Sequence, residues 1–249
     1  VAGQGERRLN VDEVKAWDEY EIKARYIPCF ISAIFPVHFL VLFLGVSFWE
    51  TLTANIGWLM VANISLSLVV TLALIQLQSG IAKHWVEEGV FGEGGINFPT
   101  TNFLLFKDAY LSKGMKVAIR KKIKEDFNFE LMDEDQEGLD IDEARKTARE
   151  AVGLIRRSVG KGIMTHHYNI RYGFIRNLIG GALWGLAGSV GAAAWYGFEK
   201  NWQALTFFSI SALIFLVLIL SRKIILKKFA CQYTEILFNE YMFQKGGDK

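Results

Sequence analysis

From Ile27 to Trp49, and again from Trp58 to Ile81, the chain carries no Asp, Glu, Lys or Arg. A helix needs about 20 such apolar residues to cross the hydrocarbon core of a bilayer. Leu178 to Phe198 and Ala204 to Ser221 repeat the pattern. The four runs predict an all-α integral membrane protein, with four transmembrane helices in two pairs and a small helical module between the pairs. The polar stretch Val1 to Arg25 is too long and too acidic to lead a signal peptide, so the first run is read as a span.

Charge sets the expected orientation. Of the 28 Lys and Arg, all but Lys200 fall in the N-terminal arm, between the second and third spans, or after the fourth. By the positive-inside rule those three regions face the cytoplasm. The expected divisions are 1–26, a cytoplasmic arm; 27–82, transmembrane helices one and two; 83–177, a cytoplasmic helical module; 178–221, transmembrane helices three and four; and 222–249, a cytoplasmic amphipathic tail. The outer loops Glu50 to Gly57 and Glu199 to Gln203 are short, which excludes a sizeable extracellular catalytic or receptor domain. Cys29 and Cys231 both fall on the reducing side, so no disulfide is expected.

Within the module, Met115, Ile119 and Ile123 recur every four residues and mark the apolar face of a helix from Ser112 to Asp126. Lys113, Lys116, Arg120 and Lys124 form a second stripe on it. Asp140 and Glu143 then make a capping-box-like start for a second helix, on which Ile141, Ala144, Ala148, Val152, Ile155 and Val159 form an apolar face. Arg145, Arg149 and Arg156 lie on its other faces. A hairpin of the two helices would present a basic surface, an anion site where several cations converge on phosphates. The alternative is a solvated or headgroup-facing surface.

Other patterns in the module are weaker. Gly89, Gly92, Gly94 and Gly95 read as a loop, and a phosphate cradle lacks the Lys-Ser/Thr that would follow it. Asp133, Asp135, Glu137 and Gly138 imitate the opening of a calcium loop, but Ala144 stands at its twelfth position, which favours a solvated acidic turn. His166 and His167 are adjacent and so lie on different helix faces, and His84 with Glu87 and Glu88 suits a juxtamembrane turn. No catalytic set, metal site or cofactor motif stands out, and an enzyme is not expected.

In the second span Asn63, Ser67 and Thr71 share a face, which Gln78 extends. They read either as interhelical hydrogen-bonding groups or as part of a wet pathway through a homo-oligomer. His38, near Pro28 and Pro36 in the first span, is the fifth candidate pore-lining residue. In the third span Gly181, Gly185, Gly188 and Gly191 predict close helix packing, and the Leu-, Ile- and Phe-rich fourth span should face lipid.

The join Tyr168-Asn169-Ile170-Arg171-Tyr172-Gly173-Phe174-Ile175-Arg176-Asn177-Leu178, followed by Gly180 and Trp184-Gly185, together with the two-plus-two span layout, resembles the small four-span membrane effectors of bacterial anti-phage defence systems. Effectors of the Hailong type are among the candidates. The resemblance implies a homo-oligomer that forms a pore or channel in the bacterial inner membrane and depolarises it. It also implies control by a nucleotide or oligonucleotide, with a nucleotidyltransferase or CRISPR module as genetic partner. The alternatives are a membrane scaffold or a small transporter with a charged docking module.

Overall fold

The computed structural model describes residues 19–45, 72–159 and 162–244, and all its regular elements are helical. A π-helical segment, Glu21–Tyr26, runs directly into α1, Ile27–Leu44. Helix α2 covers residues 72–81 and continues into a second π-helical segment, Ala82–Glu88. After a glycine loop and a helical turn at Pro99–Asn102 come α3, Lys113–Phe127; α4, Glu134–Leu139; and α5, Ile141–Val159. Three long helices close the chain: α6, Ile163–Phe198; α7, Trp202–Leu220; and α8, Arg222–Phe243.

Among the described residues, three helices are long and apolar enough to cross a membrane: Glu21–Leu44, Ile163–Phe198 and Trp202–Leu220. Asn63, Ser67 and Thr71, the polar face expected on a further span, lie outside the described residues. Only 17% of the apolar window is buried in the first and last of the three, against 44% in α6, so α6 is the central helix and the others turn most of their surface outward. Phe30 on α1 and Leu213 on α7 are exposed in the manner of lipid-facing side chains.

The glycines of α6 mark where its neighbours approach. A Cβ on Gly185 would sit 2.6 Å from the Phe215 ring of α7, and one on Gly191 would sit 2.9 Å from Phe39 of α1. At Gly188 the neighbour is the Pro36 backbone itself, and at Gly181 it is Ser32 and Gln78. These are the close contacts expected of small residues where hydrophobic burial cannot drive helices together.

One boundary expected from the sequence does not correspond to a structural break. The junction at 177/178 falls inside α6, which is continuous and about 54 Å long at the helical rise per residue. Its length joins the module rigidly to the spans. The tail helix α8 begins at Arg222 and packs onto the module: Leu226, Ala230, Leu237, Phe238 and Tyr241 are buried in one core with Ala148, Val152, Ile155 and Val159 of α5. The spacing of four and three on each helix produces a stripe, and the two stripes cover one another.

The α3 and α5 starts follow from local chemistry. Ser112 accepts the Met115 N–H at 3.2 Å, and Asp140 accepts the Glu143 N–H at 3.0 Å, so each satisfies an otherwise orphaned donor. Ile119 and Ile123 are buried as expected, whereas Met115 is exposed and Lys116 takes the inward position.

Candidate functional site

The seven basic residues singled out on α3 and α5 do not form one surface. Lys116 is 2% exposed and spends its ammonium on main-chain carbonyls, with Nζ 2.7 Å from the Leu105 oxygen and against that of Asp108. Arg120 donates to the Leu104 and Met132 carbonyls at 3.0 and 2.6 Å and stacks over Phe106, its guanidinium carbon 4.0 Å from the ring centre. Burial lowers the pKa of both groups. Lys113 pairs with Glu134, Lys124 with Glu130 and Arg145 with Asp142, at 2.7, 2.7 and 3.2 Å.

Of the carboxylates in the acidic segment, Glu137 is the one that turns inward. Asp133 caps α4 by accepting the Gln136 N–H at 2.8 Å, in a reciprocal capping box. Glu137 is buried, and its two oxygens accept the Phe106 and Lys107 N–H groups, each at 2.9 Å. The turn is exposed, as expected, apart from Glu137, which clamps the 103–108 loop. Lys116 holds the carbonyls of the 103–108 loop while Glu137 holds its amides.

Arg149 and Arg156 go elsewhere. They line an open cavity of about 340 Å³ between the glycine loop, α5, α6 and α8. Gly94 and Gly95 have φ of +60° and +71°, which bares their backbone to the cavity. A Cβ on Gly94 would lie 3.2 Å from the Arg149 guanidinium. Arg156 is 3.4 Å from the Thr100 hydroxyl and sits over the Phe98 and Tyr233 rings, 5.9 and 5.7 Å from their centres. The glycines and these two arginines, read from the sequence as separate weak signals, meet at one place.

α6 adds a third guanidinium. Arg176 Nη1 is 2.7 Å from Glu87 Oε2, and the same oxygen accepts the Tyr172 hydroxyl at 2.9 Å. Arg176 Nε is buried without a hydrogen-bond partner. Tyr172 and Tyr233 are buried, 6.5 Å apart and stacked, with Phe98 edge-on to Tyr172 at 5.4 Å. Burial, above all else, raises the pKa of Tyr233, so its phenol stays neutral. Among the described lining residues Glu87 is the single carboxylate. The spacing of Asn169, Tyr172 and Arg176, and of Arg149, Gly153 and Arg156, puts each set on one helix face, which is the signal that periodicity could have supplied.

The cavity also touches the segments next to α1 and α2. Tyr20 immediately precedes the π-helical segment leading into α1, and Glu87 lies within the one that follows α2. One layer further along α6, Gln78 is 1% exposed and donates to the Asn177 carbonyl at 2.9 Å. Its Oε1 accepts from Ser32 and Trp184 at 3.0 and 3.1 Å, and Asn177 donates to the Ala24 carbonyl at 2.7 Å. Gln78 is therefore closed off inside the fold, because interhelical partners satisfy it, and it offers no surface to water. His38 is half-buried, with Nε2 3.1 Å from the Tyr196 hydroxyl and its ring stacked 4.9 Å from Phe208.

Compared with known proteins, the chain matches no family model, no curated protein and no solved structure, so its function is read from its own sequence and geometry.

Proposed function

We propose that this chain is a four-span, oligomeric pore-forming effector of the bacterial inner membrane, which depolarises the cell in anti-phage defence under control of a nucleotide or oligonucleotide. The observation that carries the reading is the position of the cavity. Its three arginines suit an anionic ligand, and its walls include residues from the feet of two helices that lead into the membrane. Such a site can read a ligand on one side and bias the spans on the other.

The Lys and Arg asymmetry supports an orientation with both termini and the module in the cytoplasm. The long α6 supports mechanical coupling, since it forms part of the cavity and runs on through the apolar layer. Copies of the Asn63, Ser67 and Thr71 stripe would come together in the oligomer to line the pore.

Ion flux from proteoliposomes holding the purified protein tests the reading. Flux is expected, and Asn63→Leu with Ser67→Leu should abolish it while the oligomer persists on gel filtration. A scaffold or docking protein would leave the liposomes tight in every state.

A further inference from the structure

We infer that the cavity binds one phosphate ester carrying a planar ring, and that the phosphate takes Arg176 away from Glu87. This inference rests on the reading of the cavity as a control site. Three guanidiniums face it against a single carboxylate among the described lining residues, so the site attracts an anion. Arg176 has a donor to spare: Nη1 engages Glu87, while Nε is buried and unpartnered. A phosphate presents several acceptor oxygens and can use the guanidinium fork bidentately, which a carboxylate bound through one oxygen does not.

The rest of the site suits the ester's organic part. Phe98, Tyr172 and Tyr233 are buried against one another and back the exposed Arg156, whose planar guanidinium lies over Phe98 and Tyr233 and is the surface on which a nucleobase would stack. A volume of about 340 Å³ is near the lower end of the range for small-molecule sites, enough for one nucleotide unit, so a longer oligonucleotide would place one residue inside.

The exchange has a structural consequence. Glu87 belongs to the π-helical segment Ala82–Glu88, whose Ala82 packs against Gly180 of α6. Its carboxylate ties that segment to α6 through Arg176 and Tyr172. A phosphate on Arg176 repels Glu87 and breaks the tie. π-Helical turns are rare and cluster at functional sites, and this one continues directly from α2. Loss of the tie frees the foot of the second span to change its register against α6.

The test uses the full-length protein in nanodiscs of neutral phosphatidylcholine, with AMP, inorganic phosphate and adenosine as probes and calorimetry as the readout. AMP should bind at least tenfold more tightly than inorganic phosphate, and adenosine should not bind measurably. Arg149→Gln and Arg176→Gln should each weaken AMP about tenfold. Glu87→Gln should tighten it severalfold, because the competing carboxylate is gone; a purely structural Glu87 would give weaker binding or none. Unchanged or weakened AMP affinity in a Glu87→Gln protein that melts normally would overturn the exchange. Loss of AMP binding when phosphatidylglycerol is added would assign the cavity to lipid headgroups and overturn the soluble ligand. Absence of AMP binding in a protein that still conducts sinks the site and leaves the pore standing, whereas AMP binding to a protein that never conducts does the reverse.

Discussion

The carboxylate of Glu240, near the end of α8, accepts the backbone N–H of Thr165 at 2.9 Å, and through its other oxygen that of Met164 at the same distance. The last helix thus caps the central one. These amides belong to the first turn of α6, where no intrahelical acceptor exists, and a negative charge there also meets the positive end of the helix dipole. Gly162 leaves the room, since a Cβ at that position would come within 2.8 Å of the Glu240 carboxyl carbon.

Removing that cap should loosen the module from the spans. Glu240→Ala is expected to cost about 1–2 kcal/mol, as for other cap losses. Gly162→Leu should cost at least as much by expelling the carboxylate. Thermal melting in detergent measures both, and hydrogen exchange at 163–166 should rise in each.

The clamp on the 103–108 loop predicts a second local weakness. Glu137→Ala leaves the Phe106 and Lys107 amides unpaired and removes a charged partner of Arg120, 3.4 Å away. A loss of about 3 kcal/mol is expected for breaking such a buried charged network. Limited proteolysis should then cut within 103–112 well before the rest of the described helices.

Among the α6 glycines, the nature of the neighbour sets the order of damage. Gly188→Ala drives a methyl into the Pro36 backbone, which cannot turn aside, whereas Gly185→Ala meets the end of the Phe215 side chain. Gly188→Ala should therefore destabilise by about 2–3 kcal/mol or more and Gly185→Ala by less, within the range for overpacking. Equal losses in a detergent unfolding titration would contradict this difference in how closely α1 and α7 approach α6.

Tyr110 supplies a pH test. Its hydroxyl donates to Glu235 of α8, and that bond, with desolvation and the carboxylate charge, pushes its pKa up to about 12. A folded pKa above the unfolded value of about 10 means that the bond's contribution is complete below pH 10 and is lost as pH rises towards 12. Wild type should lose its melting-temperature advantage over Tyr110→Phe across that window. A constant difference from pH 8 to 12 would show that the phenol does not donate to Glu235.

Local periodicity and local chemistry determined much of this protein. Three of the four uncharged runs marked helices apolar and long enough to cross a membrane, the four-and-three spacing from Ala144 to Val159 picked the buried face of α5, and Ser112 and Asp140 announced helix starts, because each depends on residues within a few positions. The direction taken by a charged side chain does not. Whether Lys116 faced a ligand or the carbonyls of Leu105 and Asp108 depended on where the 103–108 loop came to rest, and whether Gln78 met water or Asn177 depended on how closely glycine let α6 approach. Only the tertiary structure brought Arg149 and Arg156 beside Arg176, Glu87 and the bared backbone of Gly94, since that meeting joins segments far apart in the chain. A charge on a helix can be read from its own neighbours, but its partner is chosen by whichever distant polar group would otherwise be buried without one.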